Sequence, residues 1–366
     1  MVQHKTSAWP LALSFVGLVV YASLYPFSDW RNQGIEPWAF LASPWPKYWT
    51  IFDVVANVLG YLPLGFLLTL AALRSGSTRY VILRTSLLAG LLSLVLETLQ
   101  SYLPARVPSN VDLLLNVLGA GLGAVFAAAL EWLGALDRWS QFRRRWFIAH
   151  ARGGLVLLAL WPLALLFPAA VPLGLGQVLE RVETGLAELL QNTPFLDWIP
   201  LREIELQPML AGAEVLCVML GALMPCLLGF SIIPSLARRA VFLVLTLLVG
   251  IAATALSSAL SYGPSHAWAW FTPVVQLGLA AGLLCAVLLL PASRRVSSVW
   301  LLLALGISLG LLNQASSSAY FSHTLQTWEQ GRFIRFHGLA QWLGWLWPYL
   351  TLVYVVGRMQ GPETKN

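Results

Sequence analysis

Seven polar residues in the first third of the chain have the types and spacing that proton transfer or ligand binding requires. They form two acid–amide pairs with a four-residue spacing and one acid–amide–arginine group: Asp53 and Asn57; Asp112 and Asn116; Glu97, Gln100 and Arg106. A carboxylate can act as a general acid or base, an Arg can stabilise its charged form, and amides can orient a substrate. Three residues are therefore catalytic candidates, namely Glu97, Arg106 and Asp112. Four residues are substrate-binding candidates, namely Asp53, Asn57, Gln100 and Asn116.

The composition of the chain predicts that membrane-spanning helices carry these residues. Hydrophobic residues make up 58% of the sequence and charged residues 10%, and the mean hydropathy is +0.72. An ordinary soluble domain has about 25% charged residues, and a helix needs roughly 20 apolar residues to cross the hydrocarbon core. We expect an all-α polytopic membrane protein with about ten transmembrane helices, because lipid requires internally hydrogen-bonded backbone. They lie near residues 9–26, 50–72, 83–103, 111–133, 153–171, 208–230, 239–260, 270–290, 297–314 and 338–357.

The distribution of basic residues predicts the orientation of these helices, since Lys and Arg accumulate in cytoplasmic loops. One set of alternate connections holds 15 of the 22 basic residues: Lys5, Arg74, Arg79, Arg84, Arg138, Arg143, Arg144, Arg145, Arg152, Arg238, Arg239, Arg294, Arg295, Arg358 and Lys365. We therefore expect a multi-pass protein of the bacterial cytoplasmic (inner) membrane with both termini cytoplasmic. Asp53 and Asp112 would then lie at the outer ends of their helices. The sequence has no separate basic domain, so we expect no nucleic-acid partner.

Apolar and charged segments divide the chain into three predicted parts. Residues 1–133 form a four-helix transmembrane unit, residues 134–152 a basic cytoplasmic linker, and residues 153–366 a six-helix transmembrane region. An outer segment near residues 174–207 has apolar residues at helical spacing with acids off that stripe, which predicts an amphipathic helix at the membrane surface. We expect the first helix to be retained, although residues 20–22 also fit a signal-peptide cleavage site.

The sequence also suggests an internal repeat. An offset of about 160 residues aligns SYLP at 101–104 with SYGP at 261–264. The same offset brings four uncharged or weakly basic residues near the positions of Glu97, Arg106, Asp112 and Asn116, namely Ser257, His266, Thr272 and Gln276. The fold would then contain two degenerate four-helix repeats plus two C-terminal helices, with the chemistry kept in the first half. The alternative is a chance alignment of helices rich in Leu, Gly and Ala.

A weaker candidate site lies near the last predicted helix. Arg332, Arg335 and His337 stand among several Trp residues and could bind a phosphate or a lipid headgroup. The commoner explanation is an aromatic belt with Arg side chains that reach the membrane interface. The sequence has no H-E-x-x-H motif and no Walker loop, and we expect no metal and no cofactor.

The signature residues resemble those of the VanZ-like family of bacterial membrane proteins. The resemblance rests on three patterns in order, D-x3-N-x5-P-L-G from Asp53, E-x2-Q-x3-P-x-R from Glu97, and D-x3-N-x2-G-A from Asp112. It covers roughly residues 10–133. The family takes its name from a protein associated with teicoplanin (glycopeptide) resistance. The resemblance implies a role in the cell envelope and assigns the seven signature positions, but it supplies no mechanism.

Three hypotheses about function follow. In the first, the polar cluster binds or alters a lipid-linked or cell-wall component and influences teicoplanin susceptibility, with membrane lipids and a lipid-linked wall precursor as its partners. In the second, the protein is a non-catalytic partner in an envelope or exopolysaccharide assembly complex, and a buried salt bridge of Arg106 with Glu97 or Asp112 only fixes the helices. In the third, it is a proton-coupled transporter of lipids or small molecules. The sequence leaves open whether the protein is an enzyme.

Overall fold

A computed structural model describes residues 8–25, 27, 29–45, 51–77, 79–167, 169–191, 193–198, 209–314 and 334–360. These residues form helices and connecting turns and contain no β-strand. The chain divides into two compact units, which comprise residues 1–142 and residues 143–366. The division falls inside the segment 134–152 that the sequence analysis treats as a linker.

The first unit contains five helices, and a sixth runs across the division. They are α1 Ala8–Leu24, α2 Ala39–Ala42, α3 Ile51–Arg74, α4 Val81–Gln100, α5 Asn110–Trp132 and α6 Ala135–Trp146. The start of α5 is capped by the Ser109 hydroxyl, which accepts hydrogen bonds from the backbone N–H groups of Val111 and Asp112. Its last turn is followed by Gly134, whose φ of +67° is a conformation that glycine adopts without strain.

Helices α3 and α5 pack backbone to backbone. A Cβ atom added at Gly119 would overlap the carbonyl oxygen of Val58, and one added at Gly123 would overlap that of Leu62. Small residues spaced four apart allow helices to approach closely in a membrane, where van der Waals contact replaces the hydrophobic effect as the driving force. This contact fixes the distance between the polar residues that α3 and α5 carry at one end.

In the second unit, several helices surround one buried helix. Its helices after α6 are α7 Arg152–Ala164, α8 Leu179–Leu190, α9 Ala211–Ile232, α10 Leu236–Tyr262, α11 Pro273–Leu289, α12 Arg294–Leu312 and α13 Ile334–Gln360, with 3-10 turns at Pro194–Trp198 and Pro264–His266. Residues 220–232 of α9 are all buried, and helices α7, α10, α11 and α12 contact this helix. The close contact recurs here, because a Cβ atom at Gly278 of α11 would lie 2.9 Å from the carbonyl oxygen of Val215 in α9.

Each of the ten predicted spans coincides with a helix, but the number of ten spans is not confirmed. Six helices in the described part of the chain are long and apolar enough to cross a membrane: α3 from Asp53, α4, α5, α9, α10 up to Ser261, and α12. Three apolar helices, α1, α7 and α11, are shorter, with 17, 13 and 17 residues. The amphipathic segment is helical at α8, and residues 199–207 of that prediction lie outside the described residues.

Candidate functional site

The two acid–amide pairs are brought together by the packing of α3 against α5. The Nδ2 of Asn57 on α3 donates a hydrogen bond of 2.8 Å to Oδ1 of Asp112 on α5. Both side chains are partly buried. The hydrogen bond therefore joins one member of each pair across the helix interface, as expected for polar side chains between membrane helices.

A second, deeper group of polar side chains links all three long helices of the unit. Asn116 on α5 donates from Nδ2 to the hydroxyl of Ser93 on α4 over 2.9 Å, and the hydroxyl of Tyr61 on α3 lies close enough to Ser93 to interact with it. Asn116 is 4% exposed, and its Oδ1 has no hydrogen-bond partner among the residues that the structure describes. A buried acceptor without a partner costs about 1–3 kcal/mol. Among the described residues of the first unit, this oxygen is the one buried side-chain nitrogen or oxygen atom without such a partner.

Glu97 lies one helical turn after Ser93 on the same face of α4. Its side chain is 4% exposed, and Oε2 accepts a hydrogen bond of 2.9 Å from the backbone N–H of Ser109. Ser109 thus contacts Glu97 through its main chain and caps α5 through its hydroxyl. The carboxylate of Glu97 is thereby tied to the start of the helix that carries Asp112 and Asn116.

Arg106 and Gln100 contact the end of α1. Arg106 donates from Nε and Nη2 to the carbonyl oxygen of Tyr25, at 3.1 and 2.7 Å, and from Nη2 to that of Ala22 at 3.1 Å. Gln100 donates from Nε2 to the carbonyl oxygen of Ser23 over 3.1 Å. The last carbonyl groups of a helix lack partners within it, and a cation there also interacts favourably with the helix dipole. These two residues therefore hold α1 against the α4–α5 connection.

The chain after α1 returns to the same connection. The backbone N–H of Arg31 donates to the carbonyl oxygen of Tyr102 over 3.0 Å, and Nε2 of Gln33 donates to that of Ser101 over 2.8 Å. The segment between α1 and α2 thus lies next to the ends of the helices that carry the cluster.

The remaining predicted site residues have different positions. Asp53 lies in the first turn of α3 and is partly buried. Arg332 lies outside the described residues, as do the side chains of Arg335 and His337, so that weaker site stays a prediction. The described residues contain no group of three or more His, Cys, Asp or Glu side chains that could hold a metal ion.

The sequence analysis missed Tyr61, Ser93 and Ser109. Tyr61 follows Asn57 by four residues and Ser93 precedes Glu97 by four, so each extends a helical face that already carries a predicted residue. Continuing the four-residue spacing in both directions would have found Tyr61 and Ser93 but not Ser109. We name the set Asn57, Tyr61, Ser93, Glu97, Asp112 and Asn116 the polar cluster.

The polar cluster contains several groups that accept hydrogen bonds. It offers two carboxylates and the unpaired amide oxygen of Asn116, and carboxylate and amide oxygens are acceptors. A carboxylate in a buried position is also suited to take up or release a proton.

Comparison with known proteins gives a family match within the first unit. A model of the VanZ/LLP1 family matches residues 4–131, which include every member of the polar cluster. The resemblance drawn from the signature residues is thereby confirmed. Comparisons with curated proteins and with solved structures give no match.

Proposed function

We propose that the polar cluster, which lies within the part of the chain that matches the VanZ/LLP1 family, residues 4–131, binds the headgroup of a lipid-linked cell-wall component. The proposal includes the predicted orientation, in which the cluster faces the outer leaflet of the bacterial inner membrane and both termini are cytoplasmic. Binding at this site would influence susceptibility to teicoplanin by changing the amount or state of wall precursors.

The observation that carries the proposal is the Oδ1 of the buried Asn116, which has no hydrogen-bond partner in the described part of the chain. Polar groups within membrane helices are expensive, and those that persist there are by default functional candidates. A pair that only joins helices would satisfy its own hydrogen bonds, whereas Asn116 leaves an acceptor free beside Ser93 and Tyr61. Sugar hydroxyls and peptide N–H groups of a wall precursor are donors that would satisfy this oxygen.

The test is glycopeptide susceptibility, measured with teicoplanin beside vancomycin. A deletion strain with a permeable outer barrier is complemented with wild type, Glu97→Gln or Glu131→Gln at equal membrane levels. Glu131→Gln is the matched control, because it removes the same charge from a residue of the same unit that pairs with Arg74 instead. We expect wild type and Glu131→Gln to restore tolerance and Glu97→Gln to fail, since Gln keeps the acceptor for Ser109 but cannot ionise. Restoration by all three, or by none, would contradict the proposal.

A non-catalytic role in an envelope-assembly complex is the second candidate. It is favoured by Arg106 and Gln100, which contact main-chain carbonyl groups of α1 and so stabilise the unit. Under this alternative, Glu97→Gln protein would be lost from the membrane or would leave tolerance intact, and co-purification would depend on the surface of the unit. Equal amounts of folded wild-type and Glu97→Gln protein with unequal tolerance exclude it.

A further inference from the structure

One end of the second unit is rich in arginine. The chain reaches this end at four places: the connection of α6 with α7, that of α9 with α10, that of α11 with α12, and the end of α13. Nine Arg residues lie at these places, namely Arg143, Arg144, Arg145, Arg152, Arg238, Arg239, Arg294, Arg295 and Arg358. We call this set the arginine face.

Hydrogen bonds bring these places together around the end of α9. The backbone N–H of Ile148, between α6 and α7, donates to the carbonyl oxygen of Ile232 over 3.1 Å. Arg358 of α13 donates from Nη2 to the carbonyl oxygen of Ser231 over 2.9 Å and from Nη1 to its hydroxyl over 3.2 Å. The α6–α7 connection and the end of α13 therefore both contact the last turn of α9.

Arg239 fixes the connection of α11 with α12, and its side chain is only 5% exposed. Its Nε donates to the carbonyl oxygen of Ile233, just after α9, over 2.8 Å. Its Nη1 donates to those of Leu290 and Ala292, just after α11, over 2.9 and 2.6 Å. The starts of α10 and α12 are therefore held next to each other before any ligand binds, which lowers the entropic cost of binding.

The glutamates described in the second unit lie away from the arginine face. Glu214 is in the first turn of α9, and the arginine face surrounds the last turn of that helix. With 22 residues, α9 is about 33 Å long, several times the screening length of about 8 Å in physiological salt. Glu180, Glu183 and Glu188 are on α8, whose start contacts Asn313 at the opposite end of α12. Among the described residues, no carboxylate pairs with four of the Arg side chains: Arg143, Arg144, Arg152 and Arg294.

Three helices begin at the arginine face with Arg in the first turn. Arg152 is the first residue of α7 and Arg294 the first of α12, while Arg239 lies in the first turn of α10, and none of these turns contains an acid. A cation there is unfavourable, because the start of a helix is the positive end of its dipole and favours an anion by about 0.3–1 kcal/mol. Membrane topology accounts for Arg on one side of the membrane but not for its place in these turns. An anion bound at the arginine face would interact favourably with both the side chains and the helix starts.

The surface beside the arginine face favours a lipid over a free anion. Within their first two turns, α10 exposes Leu236 and Val241 by 56% and 49%, and α12 exposes Val296 and Trp300 by 43% and 48%. Both helices are long and apolar enough to cross a membrane, so these side chains would contact acyl chains. A guanidinium group matches phosphate in charge and can bind it through two parallel hydrogen bonds. A molecule with a phosphate headgroup and acyl chains would contact both surfaces, whereas inorganic phosphate would contact only one.

We propose that the arginine face binds the headgroup of an anionic phospholipid where α10 and α12 begin. Arg294 is the exposed side chain that contacts the headgroup, and Arg239 positions the two helix starts. The site is independent of the proposed function, because the polar cluster lies in the first unit.

Binding is measured by native mass spectrometry of the full-length protein in a nonionic detergent. The probes are phosphatidylglycerol and phosphatidylcholine with the same acyl chains. We expect phosphatidylglycerol to bind at least tenfold more tightly, because phosphatidylcholine carries no net charge. Inorganic phosphate at the same concentration should not displace the lipid, since it cannot contact the apolar surface. Equal affinity for the two lipids, or displacement by phosphate, would overturn the proposal.

A charge reversal tests the location. Each basic residue near an anionic headgroup contributes about 1 kcal/mol, or roughly fivefold in affinity. Arg294→Glu changes the charge by two units and should therefore weaken phosphatidylglycerol binding roughly 25-fold. Arg84→Glu is the matched control, because it makes the same change in the first turn of another helix, α4, outside the arginine face. We expect Arg84→Glu to bind like wild type, and an equal loss in both variants would overturn the proposal.

The thermal midpoint distinguishes a binding role of Arg294 from a structural one. Without lipid, Arg294→Glu should melt no lower than wild type, because an acid at the start of α12 interacts favourably with the helix dipole. Phosphatidylglycerol should raise the midpoint of wild type and Arg84→Glu more than that of Arg294→Glu, since it stabilises only what it binds. Arg294→Gln is the milder variant, with an expected loss of affinity of about fivefold. Unchanged phosphatidylglycerol affinity in folded Arg294→Gln and Arg294→Glu would also overturn the proposal.

Discussion

Replacing Gly123 by Ala should separate α5 from α3 and weaken the polar cluster without touching it. A Cβ atom at this position would overlap the carbonyl oxygen of Leu62, and a main-chain atom cannot move aside as a flexible side chain can. Overpacking typically costs about 1–3 kcal/mol, and the change from Gly to Ala in a helix returns roughly 1 kcal/mol. At the upper end, the net loss is about 2 kcal/mol.

Hydrogen exchange of peptides from α5 measures this loss locally in the full-length protein. A destabilisation of about 2 kcal/mol corresponds to roughly thirtyfold faster exchange. The control is Gly121→Ala in the same helix, where the added Cβ would make an ordinary contact of 3.5 Å with the hydroxyl of Ser86. We expect Gly121→Ala to exchange no faster than wild type. Equal exchange in the two variants would refute the close contact of α3 with α5 as the element that positions Asn57 and Asp112.

Two further predictions concern other polar contacts. Asn313→Ala removes the acceptor for the N–H groups of Val178 and Leu179 and the donor to the carbonyl oxygen of Gly176. The start of α8 should therefore unfold more readily, and a Glu-specific protease should cleave this helix several-fold faster than in wild type. An unchanged cleavage rate would contradict the role of Asn313 as the cap of α8. Thr69→Val combined with Thr85→Val removes both members of a buried hydroxyl pair 2.8 Å apart, which should change stability by less than about 1 kcal/mol and leave glycopeptide tolerance intact. Lost tolerance in this folded double variant would mean that any buried polar pair of the unit affects function.

The positions of the helices could be predicted well from the sequence, because long apolar segments have few alternatives to the helix in a membrane. The number of these helices that cross the membrane could not be predicted. Helix α7 has only 13 residues where residues 153–171 were predicted, since the chain leaves the helix after Ala164 and forms turns up to α8. Hydropathy does not distinguish an apolar helix from an apolar loop that packs inside the protein. The buried segment around Leu173 and Leu175 is an example.

The sequence predicts which residues belong to the candidate site but not which residues they contact. Spacing placed Asp112 and Asn116 on one face of α5, and that face meets α3 and α4. The partners of these side chains depend on the rotation of each helix, which is set by contacts such as Gly119 with Val58. The role of Arg106 shows the limit, because its contacts with the carbonyl groups of α1 depend on where the α4–α5 connection lies. No local pattern specifies that position.

The three long helices of the first unit carry polar residues at matching heights, and this arrangement bears on the proposed binding of a ligand. Asn57 and Asp112 form the upper level, and Tyr61, Ser93 and Asn116 the next level, one helical turn or about 5 Å deeper. If these residues only joined the helices, the side chains at each level would satisfy one another's hydrogen bonds. The upper level contains such a pair, whereas the lower level ends in the unpaired oxygen of Asn116. A ligand that enters past Asp112 would meet its strongest unfilled acceptor there. Asn116→Leu should therefore reduce ligand affinity while leaving the Asn57–Asp112 contact in place.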